Sequence, residues 1–350
     1  MFEQFIGTKP VEWKLAFDIA GLEQFLGKHI ADLKAPLTVE QFRGGQSNPT
    51  YRITAADGRR LVLRRKPPGT LLPSAHAVDR EYAVLRALHG IGFPVARPYV
   101  LCEDISVIGT AFYVMDHVEG RVLWDQSLPG IGRSERLAIW DELNRVIALL
   151  HTTDHCALAL EGFGKPGNYI ERQIARWTRQ YQSSESKKIP AMDDLIAWLP
   201  KNIPPQTGTT IVHGDFRLDN MIFHPTEPRV IGILDWELST LGHPLADLTY
   251  NCICYNISPD HYKGLLGYDL DALGIPGQEE YLRAYCERTG REHAITSFHL
   301  AFALFRIAVI LEGVLARAKA GNAASSEAEE TGLRGRALAD CGWELVRTAA

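Results

Sequence analysis

Apolar and polar positions alternate along the first third of the chain. Val39-Glu40-Gln41-Phe42, Thr50-Tyr51-Arg52-Ile53-Thr54 and Arg60-Leu61-Val62-Leu63-Arg64 carry the two-residue period of half-buried strands. Ala55-Ala56-Asp57-Gly58 supplies an Asp-Gly hairpin turn between the second and third. Residues 17 to 30 read as a helix ahead of them, and residues 76 to 89 bring Val78, Tyr82 and Leu85 onto one face at helical spacing. Two more strands follow, near 98 to 103 and 110 to 116, before Glu119-Gly120 breaks the pattern. Beyond it the period is mostly helical, over 134–151, 169–182, 191–199, 245–254, 278–290, 294–319 and 327–347. Three short β-branched or apolar runs interrupt the helices: Thr209-Thr210-Ile211-Val212, Met221-Ile222-Phe223 and residues 229–234. The pattern predicts an α+β chain of two lobes. A small mixed β-sheet lobe covers 1–116, a hinge 117–120, and a mainly helical lobe 121–350. There are no internal repeats, and the Ala/Ser/Glu-rich stretch 320–332 reads as a loose connection.

Composition adds bounds. A chain of 350 residues has room for two cores. Its 46% hydrophobic and 23% charged residues describe an ordinary globular protein. A net charge of −5 argues against a general nucleic-acid binder. The six cysteines lack framework spacing, which predicts a reducing, cytoplasmic setting. Cys252-x-Cys254 has no second ligand pair nearby and predicts no zinc site. No basic-then-apolar leader pattern opens the sequence. The longest apolar run, Ala301 to Leu315, is broken by Arg306 and Glu312 and too short for a bilayer, so a core helix and no membrane partner are expected.

Candidate chemistry concentrates between residues 211 and 237. His213-Gly214-Asp215 is followed by Asn220, and Asp235-Trp236-Glu237 ends an apolar run fifteen residues later. Phosphoryl transfer from ATP needs this set: a carboxylate to orient the attacking hydroxyl, and a carboxamide and second carboxylate to hold magnesium on the phosphates. Protein kinases place the same residue types in a His-x-Asp loop with an Asn five residues on. Asp215 is thus the candidate base, and Asn220 and Asp235 the candidate magnesium ligands. His213 is expected to brace the loop, Asp247 to hydrogen-bond its backbone, and Glu237 to support the metal. Arg217 could neutralise charge on the moving phosphoryl group or face solvent.

The first lobe should hold the nucleotide. Gly44-Gly45-Gln46-Ser47-Asn48 joins the first two strands of the alternating series, where bare backbone N–H groups at Gly45 and Ser47 can cradle phosphate. The third strand puts Arg64 where protein kinases place Lys. Alternation sends Arg64 and Lys66 to one face and Arg65 to the other, which favours Arg64 as the phosphate cation and Glu81 as its helix partner. Adenine contacts are expected near Asp116 and Val118. Arg306 sits among apolar residues; a buried cation must find an anion, either an internal acid such as Asp247 or an anionic substrate.

The segment resembles the catalytic core of the aminoglycoside phosphotransferase-like kinases, with H-G-D-x-x-x-x-N followed by a strand and D-[WFY]-E. Leu241-Gly242-His243-Pro244-Leu245-Ala246-Asp247-Leu248 is similar to that family's G-x-P-x-x-D-L element. Residues 63–69 and 72–76 resemble the branch whose kinase-like domain precedes some large acyl-CoA dehydrogenases. The resemblance spans about 40 to 320. It implies a two-lobed protein-kinase-like fold, ATP and magnesium in the cleft, and a hydroxyl-bearing small-molecule acceptor, a hydroxyacyl or acyl-CoA compound. No dense acidic run stands in 245–320, which disfavours a polycationic aminoglycoside. A catalytically weak nucleotide-binding regulator is the competing reading, fed by Arg in place of Lys and the sparse glycine loop. A metal-dependent hydrolase lacks the His-rich cluster it would need.

Overall fold

The computed structural model describes residues 6–43, 48–69, 76–184, 188–292, 295–319 and 328–347. The elements run β1 (Thr8–Lys9), α1 (Ile19–His29), β2 (Thr38–Phe42), β3 (Thr50–Thr54), β4 (Arg60–Arg65), α2 (Val78–Gly90), β5 (Pro98–Cys102), β6 (Phe112–Asp116) and β7 (Arg121–Val122). Then come α3 (Arg133–Thr152), α4 (Tyr169–Ser184), α5 (Pro190–Trp198), β8 (Thr210–Val212), β9 (Met221–Phe223), β10 (Val230–Ile233), β11 (Thr240–Gly242), α6 (Pro244–Cys252), α7 (Pro259–Tyr262) and α8 (Leu270–Leu273). Four further helices complete the chain: α9 (Gln278–Thr289), α10 (Ser297–Lys319), α11 (Ala328–Leu333) and α12 (Gly335–Arg347).

Two compact units result. The first takes Met1–Val122 together with Met221–Glu237, a segment that the sequence pattern assigned to the helical lobe. The second takes Leu123–Asn220 and Leu238–Ala350.

In the first unit an antiparallel sheet runs β1-β2-β3-β4-β6-β5. Its register is continuous at the centre, with Tyr51 opposite Leu63 and Leu63 opposite Val114. The inward residues of this alternation, Tyr51, Ile53, Leu61, Leu63, Phe112 and Val114, join Leu22 and Leu26 of α1 in one apolar core. Stripping such side chains from water supplies the main stabilisation, about 1.5–3 kcal/mol for each large one. A second small sheet, β10-β9-β7, closes this unit. Gly120 lets its strands approach: a Cβ there would lie against the Phe223 carbonyl oxygen.

In the second unit, α10 is buried nearly all round and forms the axis of a core with α4, α5, α6 and α12. By length and composition this helix could cross a membrane, yet 89% of its apolar window is buried inside the protein. It is apolar on most of its surface because helices surround it, with His299, Arg306 and Glu312 as buried polar exceptions. The pairing of β8 with β11, Val212 opposite Thr240, fixes the strand from which the His-Gly-Asp loop leaves.

Candidate active site

In the first unit, β4 delivers Arg64 into a nest of acids. Its Nε lies 2.8 Å from Glu81 Oε2, and its Nη2 lies 2.8 Å from Asp235 Oδ1 and 3.4 Å from Glu237 Oε2. Burial opposes the guanidinium charge, but Glu81 and Asp235 outweigh it and hold the group protonated. Glu81, on the inner face of α2, is only 2% exposed. Asn48 Nδ2 and Tyr113 Oη donate to it at 2.8 and 3.0 Å. Burial pushes its carboxyl up, against the pull of Arg64. Arg65 points the other way, buried over the rings of Phe17 and Tyr51, with Nη1 donating to the Ile108 carbonyl. Lys66, past the strand, lies 3.9 Å from Asp79.

Asp235 follows β10 with φ of +64°, left-handed backbone that residues other than glycine seldom adopt. Its side chain is 37% exposed. Trp236 fixes the turn by donating its indole N–H to the Ile233 carbonyl at 3.0 Å. Strain of this kind persists where the surroundings overdetermine it.

In the second unit, β8 ends at Val212 and the loop begins. Asp247, in the first turn of α6, accepts the backbone N–H groups of His213 and Gly214 through its two oxygens. His151 of α3 lies 3.5 Å from Asp247 through Nε2, and its Nδ1 meets the Tyr285 hydroxyl at 2.8 Å. Burial would raise the Asp247 carboxyl, but hydrogen bonding and charge from His151 and the loop amides bring it below the usual range. Gly214 has φ of +87°, and a Cβ there would come 2.7 Å from the Leu238 carbonyl oxygen, so only glycine fits. His213 braces the turn, its Nδ1 accepting the Asp215 N–H at 3.1 Å.

Asp215 is held from three sides. Arg217 Nε lies 2.9 Å from Oδ1. Asn220 Nδ2 donates to the Asp215 carbonyl and to Oδ2, both at 2.8 Å. The Tyr250 hydroxyl adds a hydrogen bond. Burial pushes the carboxyl up, and Arg217 with Tyr250 overrides it, leaving Asp215 at about 2. The carboxylate is therefore ionised throughout the physiological range, suited to orienting a hydroxyl and accepting its proton late. Asn220 commits its Nδ2 to Asp215; a carboxamide oxygen and a carboxylate such as that of Asp235 are each hard donors of the type magnesium takes.

Among the residues expected from the sequence, Arg64, Glu81 and Asp235 come together in the first unit, and Asp215 with Asn220 in the second. Gly45 and Ser47 lie outside the described residues. Asp116 ends β6, where Oδ1 accepts the Tyr99 hydroxyl at 2.5 Å, and Val118 lies beside Gly232 of β10. Arg306 does not pair with Asp247. It is 4% exposed, donates Nη2 to the Gly214 carbonyl, and lies over the rings of Tyr250 and Trp177 at 4.9 and 5.3 Å. Its helix neighbours Phe302 and Phe305 are core residues at 3% and 0% exposure.

Three contributors escaped the sequence reading. Tyr250 lies one helical turn beyond Asp247, a spacing that could have flagged it. His151 carries no local signal. Lys263, with φ of +43°, sets Nζ 2.6 Å from Asp219 and over the Trp124 ring. Arg217 also reaches Asp219, at 3.4 Å. Arg217, Lys263, Tyr250, Ile253, Ile257 and Ile307 line a small hollow of about 20 Å³ within this unit.

Comparison with known proteins agrees with the chemistry. The family model described as the phosphotransferase enzyme family, APH, matches residues 38–295. Acyl-CoA dehydrogenase family member 10 of Mus musculus is 46% identical over 97% of the chain, which spans only 32% of that relative's length. A crystal structure from Ralstonia eutropha, provisionally assigned as an aminoglycoside phosphotransferase, is 51% identical with a TM-score of 0.85, covering 95% of this chain and 99% of that one. The aminoglycoside phosphotransferase APH(4)-Ia, solved with AMP-PNP and hygromycin B, shares the fold at 17% identity and a TM-score of 0.56, over 92% and 98% of the two chains. The two-lobed kinase-like fold is thus shared with solved phosphotransferases, and the chain belongs to the phosphotransferase enzyme family, whose chemistry is phosphoryl transfer to a hydroxyl of a small molecule.

Proposed function

We propose that the chain transfers the γ-phosphoryl group of ATP, with magnesium, to the hydroxyl of an acyl compound bearing an anionic group, a hydroxyacyl-CoA or related thioester. The observation that carries the transfer step is the Asp215 carboxylate, held ionised by Arg217, Asn220 and Tyr250 in a loop pinned by Asp247. Asp215 orients the acceptor hydroxyl and takes its proton. Asn220 and Asp235 hold magnesium, which when bound offsets phosphate charge. Arg64, kept charged by Glu81, contacts the phosphates, with adenine near Asp116 and Val118.

The acceptor class is supported by the relationship to an acyl-CoA dehydrogenase family member and by the absence of a dense acidic run in 245–320 that a polycation would call for. A reducing, cytoplasmic setting suits the six unpaired cysteines.

The test is a side-by-side assay with ATP and magnesium, offering hydroxyacyl-CoA species and kanamycin-type amines and measuring phosphorylated product. Product from the acyl compounds is expected. Efficient phosphorylation of the amines alone would overturn the acceptor assignment.

A further inference from the structure

Arg306 is a buried cation with unusual company. The usual solution for such a group is a carboxylate at ion-pair distance. Here the guanidinium donates to a main-chain carbonyl, that of Gly214, and lies against two aromatic faces. Both kinds of partner are electron-rich without being charged. One ring belongs to Tyr250, whose hydroxyl bonds Asp215. The carbonyl belongs to the residue just before Asp215. Gly214 is held at its N–H by Asp247 and at its C=O by Arg306, so its peptide groups are gripped from both ends. Its left-handed backbone would otherwise be free to relax, since glycine has little intrinsic preference.

We propose that Arg306 is a positioning residue for the transfer reaction: it clamps the Gly214 carbonyl and seats Tyr250, and through both it aims the Asp215 carboxylate. The proposal rests on the reading of Asp215 as the group that orients the acceptor hydroxyl. Arg306 itself touches no reacting atom. Its charge also favours the ionised form of Asp215, alongside the larger effects of Arg217 and Tyr250 and that of His213. The role suits arginine rather than lysine. A planar guanidinium can stack on a ring while donating in its plane, and an ammonium cannot do both in one orientation.

The experiment compares the parent with Arg306→Lys, Arg306→Met and Asp215→Asn in the full chain. Hydrogen exchange is followed by mass spectrometry for peptides covering 210–220 and 60–65, and turnover is followed with ATP, magnesium and a hydroxyacyl-CoA. Arg306→Met should speed exchange at least about tenfold in 210–220 and leave 60–65 at the parental rate. Turnover should fall about ten- to a hundredfold, with the Michaelis constant for ATP within about twofold of the parent, as a lost positioning contact requires. Arg306→Lys keeps the charge and secures folding should the methionine variant fail; it should recover part of the turnover. Unchanged exchange in 210–220 for both variants would overturn the clamp, with or without measurable turnover. Equal acceleration in 60–65 would also overturn it, because the residue would then serve general stability. If Asp215→Asn turns over normally, the reading of Asp215 fails. If Asp215→Asn is crippled while both Arg306 variants are normal, only the present inference fails.

Discussion

Replacing Arg64 by alanine tests the first unit most severely, because one side chain there balances three acids. Its side chain is 11% exposed and Glu81 is 2% exposed, so that pair counts as buried. Removing one partner of a buried pair leaves the other charge uncompensated and costs about 3–5 kcal/mol. Two features favour the lower end. Glu81 keeps its hydrogen bonds from Asn48 and Tyr113. Its carboxyl, already pushed up by burial, can also take a proton once Arg64 no longer holds it down. Asp235 and Glu237 are 37% and 24% exposed, and water screens their loss to about 1 kcal/mol or less each. The expected cost is thus about 3 kcal/mol, equivalent to a melting point lower by roughly 6–12 °C. Arg64→Lys restores one charge but not the fork that reaches Glu81 and Asp235 together, so it should fall between. The sign with pH follows from Glu81. If it protonates in the alanine variant, the deficit should shrink as pH falls from 7 towards 5. Urea unfolding at several pH values, read beside an ATP titration, measures both effects. A destabilisation below about 1 kcal/mol with an unchanged Michaelis constant for ATP would refute the picture of Arg64 as hub and phosphate cation.

Other substitutions separate the remaining roles. Asp215→Asn should cut turnover by about two to four powers of ten while nucleotide affinity holds, and near-normal turnover would remove Asp215 from the mechanism. Asp235→Ala should raise the magnesium concentration needed for half-maximal rate; an identical magnesium titration would show that the metal is held elsewhere. Tyr250→Phe removes one hydroxyl from Asp215 and should lower turnover several-fold without altering the ATP constant, whereas a change in ATP binding alone would contradict its placement. Asp215 is depressed to about 2, so the stability it contributes is present above the unfolded carboxylate range near 4 and lost as pH falls towards 2. Acid unfolding should therefore be steeper in the parent than in Asp215→Asn across that window, and identical profiles would count against the depressed value. Arg65→Ala should destabilise the unit yet barely change the ATP constant, since Arg65 is buried over Phe17 and Tyr51; a large rise in that constant would mean the cation assignment is off by one residue.

The sheet was legible because its strands are half-buried. Tyr51, Ile53, Leu61 and Leu63 alternate with polar residues, and the structure buries those four in one core. Helix α2 was legible as a helix, but its inner face was misjudged. The pattern put Val78, Tyr82 and Leu85 together; the structure buries Val78, Glu81, Val84, Leu85 and Leu88. The stripe is displaced because a charged residue lies in it, and Glu81 is acceptable there only through Arg64, Asn48 and Tyr113, none of them local. Strands β1, β7 and β11, of two or three residues, are too short to show a period, and the four-residue helices α7 and α8 escaped for the same reason. The helix expected over 327–347 divides into α11 and α12, with Arg334 between them and Gly335 close under the Ala308 carbonyl.

The site divides along the same line. Spacing in the chain picks out residues whose chemistry depends on near neighbours: Asp215 with Asn220 five positions on, and Asp247 shortly after the strand that follows. It is silent on residues that act across the fold. His151 reaches Asp247 from 96 positions away in sequence, and Arg306 reaches Gly214 from 92. The expected pairing of Arg306 with Asp247 is absent for an instructive reason. A buried cation does require compensation, but compensation need not be an acid. A carbonyl dipole and two ring faces serve, with the charge of Asp215 close behind them. A direct salt bridge to Asp247 would have drawn that acid off the loop amides. By leaving Asp247 to the N–H side of Gly214 and taking the C=O side itself, Arg306 lets two opposite charges hold one peptide turn, and the carboxylate that follows it inherits a fixed direction.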